Sequence, residues 1–279
     1  MLETIAKYVL LIIGAYLLGG VMFAKLLVKH KNKDITCEGS GNPGTMNMLR
    51  NHGVIFGVLT LLLDAFKGVA PSLLGYFLFG GKDGGIVAQT AIYIGGLFAV
   101  IGHIFPIYYN FKGGKGVATA IGFAFVAQPF AALGVMVVYF IMFFSTRIGS
   151  LSSLVSVVTF VVADTIILII HGSYSAILFL AVIGTLIFVA HKSNLKRLSN
   201  KNENVIDLKA VAQKDVELIN NIKEKRNTKK SSKGETVKEE VKLPEQAVVV
   251  EVIEEENIEQ PKAQNKKRVS TKKKEVKAE

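Results

Sequence analysis

Nearly all of residues 1–200 is taken up by a succession of long apolar runs. A helix of about 20 apolar residues is long enough to cross the hydrocarbon of a bilayer. Inside lipid the backbone must hydrogen-bond to itself, so runs of this kind are held to a very small set of shapes. Several of them in one chain define a polytopic membrane protein and exclude a soluble globule. Seven segments are expected, near 4–26, 54–80, 85–106, 116–131, 132–147, 150–171 and 174–191. The fourth and fifth are short and separated only at Gln128 and Pro129, so a count of six stays open. The predicted fold class is all-α: a polytopic membrane helix bundle of about seven transmembrane helices, followed by a disordered, charged C-terminal tail. The predicted domains are a membrane domain over 1–203 and a cytoplasmic tail over 204–279.

Lysine and arginine orient the bundle, because loops rich in them stay in the cytoplasm. Lys25, Lys29, Lys31, Lys33, Arg50, Lys112, Lys115, Arg147, Lys192, Lys196 and Arg197 fall on one side, against Lys7 and Lys82 on the other. The first side is read as cytoplasmic, with the N-terminus outside and the C-terminus inside, in the cell membrane. The first run does not read as a cleaved signal. Glu3 and Lys7 cancel before it and the lysines follow it, whereas signal peptides carry their positive charge in front. The single cysteine, Cys37, rules out an intramolecular disulfide or a cysteine-based zinc site. No cofactor and no metal is expected.

The segments on the basic side carry the chemistry. Residues 102–119 read GHIFPIYYNFKGGKGVAT. Gly113, Gly114 and Gly116 forgo side-chain packing, and Lys112 and Lys115 lie within a few residues of hydrocarbon, where ammonium groups are costly. Glycines and lysines alternating before a helix read as a phosphate cradle made of backbone amides and cations. The nucleotide loop GxxxxGK[ST] fails here, because Gly116 follows Lys115. His103 is either a general base, a hydrogen-bond donor to phosphate, or an ordinary interfacial histidine. Residues 39–50, GSGNPGTMNMLR, match the dinucleotide pattern GxGxxG literally, but that pattern needs a strand before it and here follows a membrane helix. A short helix is expected instead, capped by Asn42 with Pro43 in its first turn, and with Asn47 and Arg50 on one face. Read alone, it is equally a glycine turn with a cytoplasmic arginine. Asp64 and Lys67, three apart, read as a structural ion pair; a kink at Pro71 would aim Lys67 toward the basic side. Asp164 is read as a buried, hydrogen-bonded acid. In 191–203, HKSNLKRLSNKNE, His191, Asn194 and Arg197 recur every three residues and share a helical face.

In this order, between apolar segments, these blocks resemble the signatures of the bacterial acyl-phosphate:glycerol-3-phosphate acyltransferases over about 2–203. In its third block this family has His, Asn, Arg-Leu, then Gly and Glu; His191, Asn194, Arg197, Leu198 and Glu203 match, and Lys201 stands in place of the glycine. In its first block the family has Ala-Thr where this chain has Thr45-Met46, so neither inherits a role. The resemblance implies transfer of a fatty acyl group from acyl-phosphate to the 1-hydroxyl of sn-glycerol 3-phosphate, with release of lysophosphatidic acid and inorganic phosphate. It implies catalytic roles for Ser40, His103, Lys115, His191 and Asn194. Substrate binding falls to Gly39, Gly41, Asn42, Asn47, Arg50, Lys67, Lys112, Gly113, Gly114, Gly116, Arg197 and Glu203. Lys112, Lys115, Arg50 and Arg197 would hold phosphates and offset developing charge; Ser40, Asn47 and Asn194 would orient the glycerol or the carbonyl. Partners are the two substrates, membrane lipid and an upstream enzyme that makes acyl-phosphate. An anion or phosphate transporter is the alternative, but related repeats with broken helices in both halves are not found. Beyond 204 the chain is highly charged with few aromatics, which favours disorder, and its interleaved acids argue against nucleic-acid binding.

Overall fold

The computed structural model describes residues 1–29 and 34–231. Lys31, Lys33 and most of the expected tail, including the apolar island 247–253 and the lysines of 272–274, lie outside the described residues. Among the described residues the chain forms α1 (Leu2–Gly19), α2 (Phe23–Lys29), α3 (Thr45–Leu78), α4 (Gly85–Ile104), α5 (Val117–Ala127), α6 (Pro129–Thr146), α7 (Gly149–Ile170), α8 (Tyr174–Ala190), α9 (Lys192–Ser199) and α10 (Leu208–Ser231).

Each of the seven expected segments is present as a helix. Five are long and apolar enough to cross a membrane, and α8 with α9, bent by 57° at His191, makes a sixth. The remaining segment, α5, has 11 residues. At about 1.5 Å per residue it falls short of a bilayer core of about 30 Å. It meets α6 at Gln128, where the sequence places the break.

The bundle is apolar outside and polar within. Leu62, Phe66, Phe130, Ile141, Phe144 and Ile166 face outward, while Asp64, Lys67, Ser72, Thr119 and Asp164 are buried. That inversion suits a lipid solvent. The span containing α4 is 72% buried and that of α6 only 11%, which makes α4 the central post and α6 a lipid-facing strut. Small residues set how closely helices cross, as is usual in membranes. A side chain at Gly68 would strike the Thr119 carbonyl and one at Gly122 the Ala65 carbonyl, so α3 and α5 touch backbone to backbone. Deep in the core the Tyr93 hydroxyl donates to both oxygens of Asp164, at 2.8 and 2.9 Å. Asp164 is therefore the hydrogen-bonded acid that its isolation suggested.

Three local expectations need correction. The first span is not continuous: α1 ends at Gly19, and the chain restarts as α2 at Phe23. That break leaves the Val21 carbonyl free to accept from Lys67 Nζ at 2.7 Å. The second departs from helical geometry at Gly53 (φ 91°, ψ −178°) and runs helically through Pro71. The third concerns 204–231, where α10 replaces the expected disorder. Ile206 and Val211 are buried with Phe143 against Met46, Leu49 and Tyr139. The tail's average composition hides a short apolar stripe, Val211 and Leu218, that finds a partner surface on α3.

One end of the bundle gathers the basic segments. Lys115 meets Asn194, the Ile206 amide donates to the Arg147 carbonyl at 2.9 Å, and Lys214 reaches the Arg50 carbonyl.

Candidate active site

At that end a cavity of about 580 Å³ opens. Its mouth is lined by Ser40, Asn42, Asn47, Arg50, His103, Lys115, Gly116, His191, Asn194 and Glu203. From there it runs between helices past Leu61 and Val69 of α3, Phe125 of α5, Met136 and Phe140 of α6, Phe160 of α7 and Ile183 of α8. A polar mouth therefore continues into an apolar channel.

The first block forms a loop folded over the start of α3, with Gly39 and Gly41 in left-handed conformation. Its cap is Gly44, not Asn42, and the helix begins at Thr45, two residues after the position the sequence suggested. Asn47 is the centre of this loop. Its amide nitrogen donates to the carbonyls of Ile35 (3.1 Å) and Glu38 (2.9 Å). Its oxygen accepts from the Ser40 amide (2.9 Å) and Asn51 Nδ2 (3.0 Å). A carboxamide has two donors and two acceptor sites, and all are engaged. Asn47 is thus a strut that shapes the mouth, with its hydrogen-bonding capacity engaged by the loop. Arg50 differs: its Nε is buried with no hydrogen-bond partner among the described residues, and its side chain faces the cavity. Thr45 Oγ1 and Ser150 Oγ, on the cavity wall, are likewise buried without partners. Sequence reasoning assigned neither a role; only the packing reveals them.

The second block behaves differently from a simple cradle. The Gly113 amide donates to the Ile104 carbonyl (3.1 Å) and that of Gly114 to the His103 carbonyl (3.0 Å). These two amides are engaged with the turn itself. The glycines are needed because a Cβ at either position would strike His103. Lys112 is exposed and off the cavity wall. The anion-attracting feature is instead the start of α5. Gly116 caps it with φ 80°, and Gly116, Val117 and Ala118 line the mouth. The first amides of a helix have no partner within it and carry its positive end.

Lys67 lies behind His103 and does not line the cavity. Its ammonium contacts Asp64 Oδ1 (2.8 Å), His103 Nδ1 (2.9 Å) and the Val21 carbonyl (2.7 Å). Those contacts use all three donors of an ammonium. Lys67 is therefore engaged with the protein behind the cavity wall. When Nδ1 of His103 accepts from the Lys67 ammonium, Nε2 is the ring nitrogen that carries the proton, on a side chain that lines the cavity.

The third block supplies a chain of contacts: Lys115 Nζ to Asn194 Oδ1, and Asn194 Nδ2 to Glu203 Oε1 at 3.1 Å. Glu203 also accepts from Arg197 Nε at 3.1 Å. Arg197 is engaged with Glu203 and lies off the cavity wall. Lys201 adopts φ 55°, the conformation that favours glycine, which explains why glycine suits this turn. The turn closes regardless, and Glu203 reaches the site. His191, at the elbow between α8 and α9, lines the cavity and directs Nδ1 to the Ile187 carbonyl at 2.8 Å, which leaves Nε2 as its acceptor nitrogen. Burial pushes the Lys115 ammonium down to about 8; Glu203 opposes the shift, while Arg197 and Arg50 add to it.

A cationic mouth that leads into an apolar channel, inside a bundle of membrane-length helices, defines an integral membrane protein with a cavity open to an anionic group at one end and lined by apolar side chains beyond it. Residues 9–201 match the family described as glycerol-3-phosphate acyltransferase. A glycerol-3-phosphate acyltransferase of Aquifex aeolicus is 38% identical over 198 residues, 71% of this chain and 98% of the relative. One from Pseudomonas fluorescens is 40% identical over 190 residues, 68% and 94% respectively. The solved structure of PlsY (YgiH), an integral membrane glycerol 3-phosphate acyltransferase, in its glycerol 3-phosphate form, superposes with a TM-score of 0.64 at 35% identity. It covers 72% of this chain and 96% of its own. The form with lysophosphatidic acid gives 0.63. The chain belongs to the glycerol-3-phosphate acyltransferase family. It is an acyltransferase of lipid synthesis, and the transporter alternative falls away.

The Lys115 value predicts a pH profile. Below about 8 the ammonium is charged; as pH rises through that value the free enzyme loses a cation at the mouth. kcat/KM for glycerol 3-phosphate should therefore fall on the alkaline side with a limb near 8. The kcat limb should lie higher, because bound phosphate favours the charged lysine. Steady-state rates from pH 6 to 10, about the range buffers allow for a lysine limb, check both.

Proposed function

We propose that the enzyme transfers a fatty acyl group from acyl-phosphate to the 1-hydroxyl of sn-glycerol 3-phosphate, forming lysophosphatidic acid and inorganic phosphate. The observation that carries this reading is the continuity of the cavity, from Arg50, Lys115 and the start of α5 into a channel between helices. An acyl-phosphate has that shape: an anionic head already activated, on an apolar chain. The relative solved with glycerol 3-phosphate and with lysophosphatidic acid supports the acceptor and the product. An upstream enzyme that makes acyl-phosphate would supply the donor.

In this reading the glycerol oxygen attacks the acyl carbonyl carbon, and the bond from that carbon to the phosphate oxygen breaks. Lys115, Arg50 and the α5 amides offset charge on the carbonyl oxygen and the leaving phosphate. His103 donates from Nε2. A substrate phosphate, with a second pKa near ~6 as in phosphoamino acids, takes the hydroxyl proton, so no covalent enzyme intermediate is needed. Ser40 at the mouth and Asn194 beside Lys115 orient the acceptor.

Purified protein supplied with palmitoyl-phosphate and labelled glycerol 3-phosphate should yield labelled lysophosphatidic acid and one equivalent of phosphate. Product from palmitoyl-CoA but not from palmitoyl-phosphate would refute the donor assignment. In the same assay Lys115→Ala should lower kcat by about 10²–10³, as for loss of a preorganised charge stabiliser. His191→Ala should raise KM and leave kcat within about tenfold; a kcat loss of about 10²–10⁴ would instead make His191 the general base.

We also propose that the site faces the cytoplasm and the N-terminus lies outside, on the strength of the basic residues at the site end. Cys37, the single cysteine, is exposed in the loop at that end. A membrane-impermeant maleimide should leave it unlabelled in intact cells and label it once the membrane is opened; labelling in intact cells reverses the orientation.

A further inference from the structure

Helix α10 lies beyond residues 9–201, the span that matches the family, yet it packs directly on the helix that carries Arg50. The contact falls at the break in α3. At Gly53 the backbone turns to φ 91°, ψ −178°, a conformation open essentially to glycine alone. Such a break creates two helix ends inside one element. The segment 45–52 ends there with carbonyls that lack intrahelical partners, and the segment from Val54 begins there with unpaired amides. Adjacent residues of α10 meet both. Lys214 Nζ donates to the Arg50 carbonyl at 2.6 Å. Asp215 accepts from the Val54 amide at 2.8 Å and the Ile55 amide at 3.2 Å. The signs suit the helix dipoles: a cation at a C-terminal end, an anion at an N-terminal end. A Cβ on Gly53 would strike the Asp215 carboxylate, so the glycine serves the turn and the docking together.

The rest of the helix keeps these two residues in place. Asp207 caps its start, accepting from the Lys209 and Ala210 amides at 2.9 and 3.2 Å. Val211 is buried against Met46 and Leu49 of the segment before the break. Leu218 packs on a cluster that contains Met48 and Phe56, one from each side of it.

We propose that Lys214 and Asp215 are positioning residues that cap both sides of the Gly53 break and thereby hold segment 45–52, with its Arg50 side chain, at the mouth of the cavity. The inference rests on the reading of Arg50 as a phosphate ligand. It makes the C-terminal helix a working part of the enzyme and not a dispensable tail.

The test uses the full-length protein in lipid nanodiscs, with Asp215→Ala, Asp215→Asn and Lys214→Met, read by steady-state kinetics and by amide hydrogen exchange. Asp215→Ala should raise KM for glycerol 3-phosphate about tenfold, the scale of a lost helix cap. It should leave kcat nearly unchanged. Peptides covering 45–56 should exchange faster while those from α7 keep wild-type protection, which shows that the bundle still folds. Asp215→Asn retains an acceptor oxygen and should recover part of both effects; Lys214→Met should shift both in the same direction by less. Unchanged exchange over 45–56 in Asp215→Ala overturns the proposal, as does faster exchange with an unchanged KM. Arg50→Ala run alongside separates the two ideas. If it leaves KM for glycerol 3-phosphate unchanged, the phosphate-binding reading fails, whereas exchange reports the brace independently.

Discussion

The buried ammonium of Lys67 is the contact on which the site end of this molecule depends. An unpaired charge in hydrocarbon is expensive, and removing one partner of a buried pair is more damaging than the pair is stabilising. Lys67 avoids that penalty by drawing a contact from each of three elements: Asp64 within α3, His103 at the end of α4, and the Val21 carbonyl exposed by the break between α1 and α2. The break, the backbone crossing of α3 on α5 and the orientation of the histidine ring therefore form one arrangement. None can shift without leaving a donor or an acceptor unmatched in lipid. The glycines at 113 and 114 then fold the following loop against the same histidine, which sets where Lys115 and the start of α5 arrive.

Polar groups at and behind the mouth fall into two groups. Asn47, Lys67 and Arg197, together with the amides of Gly113 and Gly114, are engaged with the protein itself. Arg50, Lys115, His103, His191 and the first residues of α5 line the cavity. The first group makes the second rigid, so charge-stabilising groups are in position before substrate arrives. That is the condition under which electrostatic stabilisation works best, because nothing needs to reorganise as charge develops. The apolar channel contributes in another way. In the proposed reaction it holds the acyl chain, whose burial is favourable in itself, and so sets the reacting carbonyl beside the cations of the mouth.

Much of this was legible in the chain. Apolar runs of about 20 residues announce their helices, because length and hydropathy alone decide whether a segment suits a bilayer. The split at Gln128 and the gathering of the basic loops at one end also follow from the sequence. The blocks around Arg50, Lys115 and His191 were visible as costly residue choices beside hydrocarbon. What misled was local logic. Asn42 looked like a cap, but the chain uses Gly44. Pro71 looked like a kink, but the break is at Gly53. Residues 208–231 looked like disordered tail by composition, although Val211 and Leu218 sit at the spacing of one helical face and meet α3.

The sequence by itself determined that this chain lives in lipid, roughly where it crosses, and which side chains were available for anion chemistry. Those follow from transfer energies and residue types, which are properties of each segment taken alone. Tertiary structure decided which polar groups remain for a ligand. A hydrogen-bonding group has a fixed capacity, and whether that capacity is filled depends on neighbours distant in the chain, such as Val21 for Lys67 or Asp215 for the amides after Gly53. No local pattern encodes those distances, so the working residues of the site could be separated from their supports only once the helices were packed.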